Sequence, residues 1–98
     1  MTLKPFDFDT HTIARHPDAQ FREVGDEIFL VHPDGEQMQN LNPMAAALWR
    51  LLEEPMTGRD MAEVVLAAFP IMSPAKIQVD IETVINGLLA GGYAQIKK

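Results

Sequence analysis

Gln37-Met38-Gln39-Asn40-Leu41-Asn42-Pro43-Met44-Ala45-Ala46-Ala47-Leu48-Trp49 changes period halfway along. Up to Leu41 it reads as a short polar strand, and from Asn42 onward as the start of a helix. Asn42 is a good N-cap because its side-chain oxygen can accept from an unpaired amide of the first turn. Pro43 follows at the first helical position, where its missing N–H costs nothing and its φ is already helical. Upstream of this junction the chain reads as β-structure, and downstream as helices. The open question is whether the strand that precedes the junction is a finished edge.

Working back from the junction, residues 36–41 form a third strand entered through the turn Pro33-Asp34-Gly35, with proline at the first corner and glycine supplying positive φ. Residues 27–32 are a second strand. Ile28-Phe29-Leu30-Val31 does not alternate, which fits a strand covered on both faces. Gly25-Asp26 is a hairpin turn to a first strand at residues 19–24. Three strands in spatial order 1-2-3 leave the first and third as edges. Residues 1–17 show no period and read as a flexible arm, with Phe6 and Phe8 able to dock on the body.

Working forward, residues 42–53 are the first helix, its stripe made by Met44, Leu48, Leu51 and Leu52 with Ala45 and Trp49 flanking. Pro55 stops it. Thr57 caps a second helix whose apolar face is Met61, Val64, Val65, Ala68 and Phe69, and Asp60 complements its dipole. Ser73-Pro74 opens a third helix to about Ala90, with Ile77, Ile81, Val84, Ile85 and Leu88 at helical spacing and Gly91-Gly92 as the stop. Residues 93–96 are a short apolar tail able to pack back. The order βββααα predicts an α+β, winged-helix-like domain at residues 18–98, a three-stranded antiparallel meander followed by three helices.

Composition narrows the function. Ninety-eight residues at 47% hydrophobic suit one globular domain. There is no cysteine, hence no disulfide, thiol catalysis or thiolate metal site. No apolar run approaches the roughly 18 residues of a membrane span, and the N-terminus lacks a signal-peptide core, so a cytoplasmic protein without a membrane partner is expected. His11, His16 and His32 match no metal template and read as solvated turn histidines. The acidic pairs have no accompanying base, and Ser73 is better explained as a cap than as a nucleophile. Neither catalysis nor a cofactor is expected. The net charge of −6, and a third helix whose sole basic residue is Lys76, argue against nucleic acid.

A binding module remains. Met38 and Leu41 are three residues apart, so on a regular strand they point to opposite faces. With Leu41 in the core, Met38 is free for a partner. Gln37, Gln39 and Asn40 include no proline or lysine to block the edge, and an open edge accepts an extended peptide as an added strand. Capping by the N-terminal arm or by a second copy is the alternative. A proline at Gln39 is expected to block the added strand if that amide faces outward.

Residues 21–31, Leu41-Asn42-Pro43 followed by Ala45-Ala46-Ala47-Leu48-Trp49, and residues 77–89 with Asp80 resemble the PqqD-like family. The resemblance covers roughly residues 19–93 and leaves the arm outside. It implies a winged-helix-like domain that binds the leader of a ribosomally made precursor peptide and presents it to a modifying enzyme, of radical SAM type in coenzyme PQQ biosynthesis. It implies a groove between the third strand, Gln37, Met38, Gln39, Asn40 and Leu41, and the third helix, with Lys76, Ile77, Asp80, Ile81, Val84 and Leu88 as contacts. A monomer or weak homodimer without a cofactor is expected. The rival functions are a winged-helix DNA-binding regulator and a structural dimerisation module.

Overall fold

The computed structural model describes residues 6–32 and 34–97. Its elements run β1 (Thr12–Arg15), β2 (Gln20–Val24), β3 (Glu27–Val31), β4 (Met38–Asn40), α1 (Pro43–Leu51), β5 (Met56–Thr57), α2 (Gly58–Ala68), α3 (Pro74–Ala90) and β6 (Ala94–Lys97). The expected meander is present as a sheet of order β2-β3-β4. A second antiparallel sheet, β5-β1-β6, departs from the expected order. It corrects the reading of residues 1–17 as an arm, because β1 lies within it and Ile13 is fully buried. Phe6 is buried as well. Residues 1–5 and the proline corner at Pro33 lie outside the described residues. The C-terminal tail is a four-residue strand whose register runs from Thr12↔Lys97 to Arg15↔Ala94.

The helix starts follow from the chemistry of their caps. Asn42 Oδ1 accepts the Ala45 N–H at 2.8 Å, with Pro43 at the first position. Thr57 and Asp60 form a reciprocal capping box: the Asp60 N–H donates to Thr57 Oγ1 and the Thr57 N–H to the Asp60 carboxylate. Ser73 holds the N-cap position of α3 without a side-chain bond, so Pro74 supplies the start. At the far end, Tyr93 N–H bonds Leu88 O and Gly92 N–H bonds Leu89 O, a Schellman closure that requires the positive φ of Gly92 (+79°).

Packing shifts several expected faces. In α1 the buried positions are Ala45, Ala46, Leu48 and Trp49, with Leu52 just beyond; Met44 and Leu51 are only half-buried. The stripe is therefore rotated toward Trp49, the largest side chain the core can take up. In α2 Met61 and Val65 are buried, but Val64, Ala68 and Phe69 are exposed. In β3 Ile28 and Leu30 are fully buried while Phe29 and Val31 are half-buried, so helices cover only one face of the meander.

Arg15 ties the two sheets and α1 together. Its guanidinium carbon lies 4.8 Å from the Phe21 ring centre and 4.7 Å from the Trp49 ring centre. Its Nε and one terminal nitrogen donate to the Trp49 carbonyl at 3.2 and 2.6 Å. That carbonyl is in the last turn of α1, where it also accepts the Leu52 N–H at 3.2 Å and where the negative end of the helix dipole favours a cation. The Phe21 and Trp49 rings meet edge-on at 5.4 Å. Burial pulls the Arg15 pKa below its ordinary value, and Glu53 and Glu23 oppose the shift; guanidinium stays charged regardless. Arg15→Ala is expected to lower stability by about 2 kcal/mol, from a charge-assisted bond and a cation–π stack. Arg15→Lys recovers less than half, since lysine has no planar fork to donate twice while stacked. Urea denaturation of the three proteins measures both effects.

Candidate peptide-binding edge

β4 is the edge strand of the meander, paired through Phe29↔Asn40, Leu30↔Gln39 and Val31↔Met38. The phase of its hydrogen bonds follows from the flanking pairs. Leu41 N–H donates to Ile28 O at 2.9 Å, and His32 N–H donates to Gln37 O at 2.8 Å. Antiparallel bonding alternates along a strand. Gln37, Gln39 and Leu41 therefore direct their main-chain groups at β3, while Met38 and Asn40 direct theirs away from the sheet. Two N–H and two C=O groups form the open edge, and no described residue pairs with them. The amide of Gln39 points inward, so a proline there disrupts the β3–β4 ladder and does not probe the edge.

Side chains sort by the same register. Leu41 is buried with Ile28 and Leu30, whereas Met38 is 52% exposed on the opposite face beside Val31 and Phe29. Asn40 reaches across the outer face to Glu27 at 3.3 Å. At the other edge of the meander, Phe21 of β2 lies under Arg15 and Glu23 pairs with Arg50 at 3.6 Å, while the five residues of the strand stay exposed. No ion pair or ring stack involves β4 among the described residues.

The start of β4 is set by Asp34. Its Oδ1 accepts the N–H groups of Glu36 and Gln37 at 2.8 and 3.2 Å, an Asx-type turn that delivers the chain into the strand. Each histidine serves a turn in the same local manner, Nδ1 of His11, His16 and His32 accepting the N–H of Asp7, Asp18 and Asp34.

Past the end of β4 lies a cleft of about 340 Å³ between the start of α1 and the flank of α3, lined by Asn42, Pro43, Met44, Asp80, Thr83 and Val84. Asn42 is two residues beyond Asn40, at most about 7 Å of chain, so strand edge and cleft are continuous. Of the residues expected on α3, Asp80 and Val84 line this cleft, and Lys76 stands one turn before Asp80, its Nζ 3.4 Å from the carboxylate. Ile77, Ile81 and Leu88 do not belong to the surface. The first two are fully buried and Leu88 is 5% exposed, so they form the core stripe of α3. Met44, Pro43 and Thr83 are cleft residues that sequence reasoning missed. Helical phase could have found Thr83, since burying positions 77, 81, 85 and 88 leaves 80, 83 and 84 on one flank.

The family model for coenzyme PQQ synthesis protein D, PqqD, matches residues 27–93, which span β3, the open edge, all three helices and the Schellman closure. The chain belongs to the PqqD family. No curated protein matches this PqqD-family chain. It shares its fold with the solved structure of TbiB1 in complex with the TbiA(beta) leader peptide, with a TM-score of 0.74 at 17% identity over 84% of this chain and 94% of TbiB1.

The turn that sets β4 carries a pH dependence. The Asp34 carboxyl lies below its ordinary 3.8, chiefly because the Glu36 N–H donates to it, with smaller contributions from the Gln37 N–H and from His32. A depressed folded-state value means that the turn's contribution is present above 3.8 and is lost as pH falls through the lower, folded value. Amide NMR is expected to show bonded Glu36 and Gln37 N–H groups at about pH 5 and their release only below the ordinary carboxylate range. In Asp34→Ala both are released at every pH.

Proposed function

We propose that this PqqD-family chain is a non-catalytic recognition domain that binds the leader segment of a ribosomally made precursor peptide as a fourth strand on β4. It presents that peptide to a modifying enzyme, of radical SAM type by the resemblance described above. The observation that carries the reading is the outward pair of main-chain groups at Met38 and Asn40, running directly into the cleft between α1 and α3. Strand addition takes its affinity from such main-chain bonds and its specificity from pockets beside them. The leader peptide held by TbiB1, a protein of the same fold, supports a peptide as the occupant.

Three residues of edge strand make a small interface, below about 1,200 Å² in total. Micromolar binding follows, about −8 kcal/mol. A displayed library of random peptides panned on the immobilised full chain supplies ligands whatever the natural precursor, and fluorescence anisotropy gives their affinities. Asn40→Pro removes an outward N–H from a residue whose inward side makes no ladder bond. It is expected to weaken the selected peptides about tenfold or more, a loss of ~1.4 kcal/mol, with little change in the urea midpoint. Gln39→Pro has the opposite signature, lowering the midpoint through the lost bond to β3. Unchanged peptide affinity in a folded Asn40→Pro protein would exclude strand addition at this edge. A second copy of the chain as the occupant would instead show as a concentration-dependent dimer in sedimentation, weakened by the same variant.

A further inference from the structure

The proposed added strand alternates its side chains between two faces, and the chemistry on those faces differs. Leader residues opposite Met38 and Asn40 lie on the outer face of the sheet. Those opposite Gln39 and Leu41 lie on the face of Leu30 and Ile28, where the helices pack, and the latter position borders the cleft at Asn42. In that cleft Met44 and Val84 offer half-buried apolar walls. Its polar atoms are mostly engaged: Asn42 Oδ1 accepts the Ala45 N–H at 2.8 Å, and the Thr83 hydroxyl donates to the Val79 carbonyl at 2.9 Å. The Asp80 carboxylate is the strong acceptor left. Among the described residues its side-chain partner is Lys76, 3.4 Å from each oxygen, and the Lys76 side chain is 68% exposed. An exposed i,i+4 pair of this kind contributes about 0.3–0.5 kcal/mol, so an incoming cation displaces it easily.

Resting on the strand-addition reading, we infer that Asp80 is a specificity-determining residue, which selects leaders carrying a basic side chain at the position that enters the cleft. A long aliphatic stem lies along Met44 and Val84 while its cationic head meets Asp80, the arrangement in which lysine and arginine bury stems and keep heads polar. Arginine is preferred to lysine, because its planar fork engages both carboxylate oxygens and is less strongly hydrated. An acidic side chain at that position meets like charge on a chain of net charge −6.

The test pans one random peptide library against the wild type, Asp80→Asn and Asp80→Lys, with circular dichroism verifying that each variant is folded. Wild type is expected to enrich arginine or lysine at one fixed position. Replacing that residue by norleucine weakens binding about tenfold, and raising salt weakens the basic peptide but not the norleucine one. Asp80→Asn is expected to lose the basic preference. Asp80→Lys is expected to enrich glutamate or aspartate at the same position, restoring affinity by charge exchange. Peptides with no preferred basic position, or with one that Asp80→Lys leaves unaltered, would overturn the inference. If those peptides still fail on Asn40→Pro, strand addition stands and only the role of Asp80 falls. If the wild type retains no peptide at all, both fall together.

Discussion

The pairing of Leu41 with Ile28 is the constraint on which the rest of the molecule depends. One hydrogen bond from Leu41 N–H to Ile28 O joins the last residue of the sheet region to the central strand, immediately before the Asn42 cap. Because side chains alternate with period two, this bond settles every face of β4 at once. Leu41 enters the core, Met38 leaves it, and the main-chain groups of Met38 and Asn40 point out of the sheet. A slip of one residue would bury Asn40 in place of Leu41 and turn Met38 inward. Burying an amide unpaired costs about 1–3 kcal/mol, besides the lost burial of a leucine, so the register is firmly specified.

The second organising element is non-local. Arg15 stacks with Trp49 and Phe21 and donates twice to the Trp49 carbonyl, which joins β1, β2 and α1 at one point. Sequence separations of this size leave no local signature. The contact also divides the edges of the meander by role. β2 carries the Glu23–Arg50 ion pair and the Arg15 stack, charged groups that discourage pairing, whereas β4 has no partner on its outer side among the described residues and lies beside a cleft. An open edge invites aggregation unless it is short or occupied in use, and β4 is only three residues long. Short length limits both the hazard and the affinity that such an edge can offer.

Much of the architecture was legible in local chemistry. The Asn42-Pro43 start, the Thr57 and Asp60 capping box and the Gly92 closure each follow from one or two residues whose conformational preferences are strong. The meander order and the opposition of Met38 and Leu41 follow from turn residues and strand periodicity. The second sheet was not legible. Met56–Thr57 is two residues long, and Thr12–Arg15 has no turn partner in sequence, so both strands exist only through pairing with distant chain. On α3 the apolar stripe was legible, but its members Ile77, Ile81 and Leu88 face the core and not the groove. Spacing identifies a stripe without saying what packs on it.

Where each helix of this PqqD-family chain begins, the order of the meander strands, the lack of cysteine and the acidic net charge can all be read from the residues alone. Those properties reside in single side chains, short-range spacing and total charge. It takes the packed molecule to show which amides of β4 face away from β3 and which flank of α3 meets the start of α1. Hydrogen-bond phase depends on a partner strand, and a cleft on two elements that meet far apart in sequence. A strand pattern states that an edge can exist; only packing against β3 states which of its residues face out.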